Sequence, residues 1–321
     1  MLRYFRAYSA MNPWLQLLLF GVLTAGSVII FSFLGQFIAI LLYGFNNYQA
    51  ALEYLANPSD ADGLVVTRVT VTILAITQMT SQAGLFIIPP LLFVWLLYGP
   101  AFTPGILQVN RWPQLFTILM TIAALALSLP LIAWLTELNM AMPLPPALMR
   151  AEEDAALIVQ LFFDDAGIKR FIMNMFMVAI IPAIGEELFF RGIIQTWFIR
   201  GMRNVHLAVI SSAFIFSFFH FQFHGFIPRM LLGMVFGYLL VWSGSLWVPI
   251  IAHLINNGAA VVVEFLARNG VLKQGYQEFG YNTEPRAVIF SVFALAAIAF
   301  LIWYSEGNIR HKKKPGNQPG S

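Results

Sequence analysis

Three short runs in this 321-residue chain place ionisable and amide side chains inside otherwise apolar stretches: Glu186, Glu187 and Arg191 in IPAIGEELFFRG, His220 and His224 in FSFFHFQFHG, and His253, Asn256 and Asn257 in IIAHLINNG. A charged group at mid-membrane depth costs about 2.5–3.5 kcal/mol on insertion scales, so groups placed there usually do something. Side chains four apart stack on one helix face. Glu187 and Arg191 form such a pair in the favourable order, which occupies Glu187 with the guanidinium. Glu186 projects about 100° further round the helix and is the free carboxylate, available as a general base. The same four-residue step aligns His253 with Asn257 and Phe216 with His220. Together these segments offer a base, imidazoles and an amide donor. That is the equipment for hydrolysing an acyl bond with an activated water, the donors stabilising the developing oxyanion. No serine or cysteine nucleophile is required.

The elements that must bring these groups together are membrane spans. The chain is 59% hydrophobic and only 10% charged, with a mean hydropathy of +0.76, whereas soluble domains hold roughly 25% charged residues. With about 20 apolar residues needed per crossing, the sequence predicts an all-α polytopic transmembrane bundle of about eight spans: 14–44, 64–98, 113–136, 168–200, 205–223, 226–246, 248–266 and 286–305. The first apolar run is too long for a cleaved signal peptide and reads as a retained span. Pro89, Pro90 and Pro182 predict kinks within the second and fourth spans. The chain is expected to divide into N-terminal helices over 1–140, an extracytoplasmic loop over 141–167, a transmembrane core over 168–305 that carries the three polar runs and a disordered tail over 306–321.

Basic residues fall at Arg3, Arg6, Arg111, Arg200, Arg203 and in the tail from Arg310 to Lys314, all on one side if the spans number eight. Positive residues mark the cytoplasmic side, so both termini are expected there, and the basic charge is a topology signal rather than a nucleic-acid surface. The acidic loops around Glu53, Asp60 and Asp62 and from Glu137 to Asp165 then face outward. Within the second of these, Ala147 to Phe163 reads either as an amphipathic helix on the membrane surface or as a solvated linker. With no cysteine in the chain, disulfides, thiolate ligands and a cysteine nucleophile are excluded.

The three runs carry a resemblance. EELFFR, FSFFH and HLINN match the EExxxR, FxxxH and HxxxN patterns, in order, of the CPBP family, which groups type II CAAX prenyl endopeptidases with bacteriocin-processing and self-immunity proteins. The similarity covers about residues 168–270. The resemblance implies an intramembrane glutamate-type endopeptidase in which Glu186 and His220 bind the catalytic water, His253 and Asn257 form the oxyanion hole, and Glu187 and Arg191 support them. His224 and Asn256 have no counterpart in the pattern. The partners implied are a peptide or protein substrate at the membrane, hydrophobic or lipidated, and the bilayer itself.

Rival readings follow from the same residues. His220 and His224 stand four apart, and with Glu186 and His253 they offer four ligands to a divalent metal such as zinc, though without the HExxH signature; otherwise no cofactor is called for. A proton-coupled transporter would use buried Glu and His as a relay, but no repeat symmetry of the kind such folds carry is visible. A catalytically silent membrane scaffold or immunity protein is the third alternative.

Overall fold

The computed structural model describes residues 12–56, 58, 67–101, 103–273 and 284–312, and among these there are helices and turns but no strand. Ten principal helices follow in chain order: α1 (Pro13–Tyr43), α2 (Phe45–Ala56), α3 (Arg68–Tyr98), α4 (Leu115–Met140), α5 (Pro146–Phe163), α6 (Ile168–Met202), α7 (Val205–Phe218), α8 (Phe226–Ser243), α9 (Trp247–Arg268) and α10 (Pro285–Lys312). Seven of them, all but α2, α5 and α7, are long and apolar enough to cross a membrane, and α7 is a shorter apolar helix. Counted together they make the eight spans expected.

Local chemistry sets the boundaries. The Asn12 side chain accepts a hydrogen bond from the Trp14 amide and Pro13 opens α1, which ends at Gly44 with φ 84, a left-handed geometry that glycine adopts at little cost. Thr67 and Thr70 cap the start of α3 reciprocally. Asn204 caps α7 through the amides of His206 and Leu207.

The expected kinks take a definite form. Helix α3 widens into π-helical geometry over Ala83–Ile87 just before Pro89 and Pro90, and α6 does so over Met175–Ile180 just before Pro182. A proline has no N–H to give the carbonyl four residues back and its ring crowds that carbonyl, so the preceding turn opens. A third π-helical run, Glu187–Gln195, follows in α6 with no proline after it, and the Thr196 hydroxyl bonds the Arg191 carbonyl. Such widened turns concentrate at functional sites.

The structure departs from the sequence expectation at two helix ends and decides one alternative that the sequence left open. Helix α7 ends at Phe218, not near 223, because the polar turn 219–225 breaks an apolar run that hydropathy reads as continuous. Residues 146–163 form a helix, which settles helix against linker for that stretch. The last span does not stop at 305: α10 continues to Lys312, and Glu306 is buried, accepting from the Thr117 hydroxyl at 2.7 Å and pairing with Arg111 at 3.3 Å. The rest of the expected tail, 313–321, lies outside the described residues, as do Arg3, Arg6, Asp60 and Asp62.

Most of α1 faces outward, with Leu18, Val22, Ile30, Phe33, Phe37 and Leu41 exposed, as a lipid-facing helix requires. Its inner face meets α3 through small residues: Gly35 lies against Thr80, Gly84 against Phe31, and Ser32 bonds Ser81. Close approach through small residues is the usual way helices associate in lipid. At the end where α1 begins, the buried Trp197 donates to Gln16 and Arg200 to Tyr98, while the exposed Trp112 stacks on Trp247, an aromatic pair of the kind favoured at a membrane interface.

Behind the three polar runs lies a core of Phe93, Leu188, Phe189, Phe190, Ile193, Trp197, Phe216 and Leu246. Helix α8 approaches it through Gly233 and Gly237. A Cβ at Gly237 would stand 2.6 Å from Gln195 Oε1 and 2.9 Å from Val209 Cγ1, closer than real contacts allow. Gly237→Ala is expected to destabilise the protein by about 1–3 kcal/mol, seen as a lowered melting midpoint of intrinsic tryptophan fluorescence in detergent. An unchanged midpoint would mean that α8 has room to move away.

Candidate active site

Four elements build the site. Helix α6 brings Glu186, Glu187 and Arg191 from the junction where its first π-turn has closed and its second begins. Gly185 lets α6 come against the π-turn of α3, since a Cβ there would stand 2.8 Å from Phe86 and 3.0 Å from Ile87. The turn 219–225 after α7 carries His220, α9 carries His253 and Asn257, and α8 supplies backbone and ring surface.

Glu187 and Arg191 are paired, as their spacing predicts. The guanidinium donates to Glu187 Oε1 at 3.0 Å and to the Gly233 carbonyl at 3.0 Å, and both side chains are sealed, at 0% and 1% exposure. Arg191 also lies over the Phe216 ring, 4.5 Å from its centroid, with Phe236 at 5.5 Å. One turn further on, Gln195 repeats the arrangement by donating to the Gly237 carbonyl at 3.0 Å.

The same Glu187 Oε1 lies 2.8 Å from His253 Nδ1. A carboxylate accepts, so Nδ1 carries the proton and Nε2 points the other way. The His253 ring is stacked on Phe236 and met edge-on by Phe216. The chain Arg191–Glu187–His253 thus fixes the imidazole through Nδ1, with Phe236 stacked on the ring and Phe216 edge to face with it.

His220 is fixed by a different device. Its Nδ1 is 2.8 Å from the Phe216 carbonyl, which can only accept, so Nε2 again is the open nitrogen. Both open nitrogens face one atom: Glu186 Oε2 lies 3.9 Å from His220 Nε2 and 4.0 Å from His253 Nε2. That oxygen is buried and has no hydrogen-bond partner within the protein. Glu186 is therefore the carboxylate without its own cation, as expected from its place on the helix.

Asn257 stands apart from this convergence. Its Nδ2 donates to the Val178 carbonyl at 3.0 Å, and its Oδ1 accepts from Asn256 at 3.0 Å. Val178 lies four residues before Pro182, which has no N–H to offer it, so the amide satisfies a carbonyl that the proline deprives of its usual helical donor. His224 is not on a helix with His220: both lie past the end of α7, and His224 Nε2 is buried without a hydrogen-bond partner. The four-apart helical pairing that favoured a metal reading does not form. Among the described residues no group of three or more His, Cys, Asp or Glu is placed to hold a metal ion.

Comparison with known proteins bears out the resemblance carried by the three motifs. Residues 168–259 match the family model described as type II CAAX prenyl endopeptidase Rce1-like. A Bacillus subtilis (strain 168) relative, "Uncharacterized protein YpbD", is 30% identical over 103 residues, covering 29% of this chain and 50% of the relative. A Staphylococcus aureus (strain USA300) relative, "Membrane-embedded CAAX protease MroQ", is 37% identical over 125 residues, covering 37% of this chain and 47% of the relative. The chain thus spans about half the length of the curated relatives it matches. No solved structure matches it.

Proposed function

We propose that the protein is a membrane-embedded endopeptidase that cleaves a peptide bond of a membrane-associated substrate with a water activated by Glu186 and His220. The observation that carries this reading is the convergence of two imidazole Nε2 atoms on the unpartnered Glu186 Oε2. A separation near 4 Å is too long for a direct hydrogen bond and suits a water hydrogen-bonded to both sides.

In this mechanism the water donates one hydrogen bond to Glu186 and the other to His220 Nε2, leaving an oxygen lone pair to attack the carbonyl carbon. As the carbon–oxygen bond forms, the proton passes to Glu186 and the carbonyl oxygen becomes an oxyanion. In its imidazolium form His253 donates from Nε2 to that oxyanion while Glu187 holds Nδ1. Asn257, bonded to the Val178 carbonyl, holds α9 against α6 rather than facing that oxyanion. Collapse breaks the carbon–nitrogen bond, Glu186 returns its proton to the leaving amine, the remaining hydroxyl proton passes to His220 Nε2, and the products are a carboxylate and an amine. The matched segment and the protease relative support a hydrophobic or lipidated peptide as substrate, and the distribution of basic residues supports cytoplasmic termini.

The test is purification in detergent and incubation with an internally quenched peptide carrying a farnesylated CAAX sequence, read by fluorescence and by mass spectrometry of the products. Cleavage by the wild-type protein supports the reading, and its absence across a panel of prenylated and unprenylated membrane peptides would remove it. Proton-coupled transport, the rival of another class, would instead show as pH-gradient dissipation in proteoliposomes without hydrolysis.

Metal-dependent hydrolysis is the second chemical reading: Glu186 faces His220 and His253 at 3.9 and 4.0 Å, although the described residues offer no group of three placed to hold an ion. Activity is expected to survive dialysis against EDTA and 1,10-phenanthroline, with metal content followed by mass spectrometry. A loss restored by zinc would transfer the water's activation to a metal ion.

A further inference from the structure

We infer that Glu152 of α5 and Asn139 at the end of α4 are positioning residues for His220, and that α5 acts through Glu152 as a brace on the site. The inference rests on the proposed catalytic role of His220 and deepens it.

His220 lies beyond the last helical residue of α7, so the regular ladder of that helix does not fix its backbone. The turn that follows is irregular: Phe221 takes φ 51, a left-handed conformation that an aromatic residue adopts only under constraint. Non-helical backbone at membrane depth is tolerated only where the protein satisfies its polar groups. Here two side chains from outside the turn do so. Glu152 Oε1 accepts from the amides of both Phe223 and His224. Asn139, itself buried, donates from Nδ2 to the Phe223 carbonyl at 2.9 Å and accepts at Oδ1 from the Ile227 amide at 2.8 Å. Within the turn and its flanks, Ser217 bonds the Phe226 carbonyl, and Arg229 bonds both the carbonyl and the side chain of Gln222.

Helix α5 is held at its far end as well. Asn174 of α6 donates to the Phe162 carbonyl at 2.8 Å, and the Phe162 side chain is buried. The helix therefore spans from α6, which carries Glu186, to the turn, which carries His220. A shift of α5 moves one side of the water site relative to the other, and a displacement on the order of 1 Å in such a site costs about a hundredfold in rate.

Glu152→Ala removes the acceptor for two amides, whereas Glu152→Gln keeps an acceptor oxygen at the same reach. With the quenched farnesylated peptide, Glu152→Ala is expected to lower kcat by about 10–100-fold with KM unchanged, and Glu152→Gln to restore most of it. An independent readout, needing no substrate, is carbethoxylation of His220 by diethyl pyrocarbonate followed by peptide mass spectrometry. That rate should rise severalfold in Glu152→Ala and Asn139→Ala and stay near wild type in Glu152→Gln. Should Glu152→Ala fail to fold, as judged by tryptophan fluorescence, Glu152→Asp, one methylene too short to reach both amides, takes its place with the same expectation. Wild-type kcat and wild-type His220 reactivity in these variants would overturn the inference, as would a change confined to KM. If the wild-type protein cleaves no peptide, the proposed function fails, and the histidine reactivity still decides whether the brace exists.

Discussion

Glu186→Gln is expected to reduce peptide cleavage by about 10²–10⁴-fold, the range for loss of a general base, while leaving the melting midpoint unchanged or raised. Both halves of this expectation come from one difference: Glu186 and Glu187 are both buried with an unbonded Oε2, but only Glu187 has a guanidinium and an imidazole bonded to its other oxygen. Burying a carboxylate without a partner opposes folding, so an isosteric neutral amide relieves the fold even as it removes the acceptor that takes the water's proton. A group retained at the expense of stability is the signature of a working site. The neighbouring residue should behave in the opposite way, because Glu187 is enclosed by Arg191 and His253. Measuring turnover of the quenched peptide beside thermal unfolding for Glu186→Gln and Glu187→Gln separates the two. Comparable turnover in wild type and Glu186→Gln would end the proposed mechanism, and an equal loss of stability in both variants would show that Glu186 is structural.

What could be read from the sequence of this site was what helical spacing controls. The i,i+4 step identified the Glu187–Arg191 pair, left Glu186 without a cation and put Phe216 beside His220, and all three relations hold in space. The alternation of apolar runs likewise gave the spans, because hydrocarbon thickness imposes a length that composition reveals. Contacts between helices were not legible. The bond between His253 and Glu187 joins residues far apart in sequence, and no local pattern distinguishes it from a bond to Glu186. Asn257 shares a helix face with His253, yet its amide turns to a carbonyl that Pro182 leaves without its usual donor. Hydropathy could not detect the end of α7, since Phe219, Phe221 and Phe223 keep the run apolar while the backbone has left the helix. Glu152 reads as one acid among several in a polar loop, and only the orientation of two backbone amides gives it a task.

Arg191→Met is expected to produce the largest loss of stability of any single change in the site, about 3–5 kcal/mol, with activity falling in parallel. Breaking a buried ion pair from one side leaves the other charge without compensation, which costs far more than the pair itself contributes. Glu187 would keep one partner, His253 Nδ1, and lose the cation that neutralises it. Methionine suits the space between Phe216 and Phe236, so the lost packing is small and the electrostatic part can be read. Glu187→Gln should also destabilise, by leaving the guanidinium unpaired among rings. In addition it presents an amide rather than a carboxylate to His253, weakening the preference for a proton on Nδ1 that aims Nε2 at Glu186. Removing both charges together is expected to recover much of the stability, because a neutral pair of similar volume no longer carries a buried charge. It should not recover activity, since the imidazole remains without its orienting anion. The double-mutant cycle in detergent, scored by melting midpoint and by turnover, tests this division. Simple additivity of the two destabilisations would show that Glu187 and Arg191 act separately, and recovery of turnover in the double variant would show that His253 needs no anion beside it.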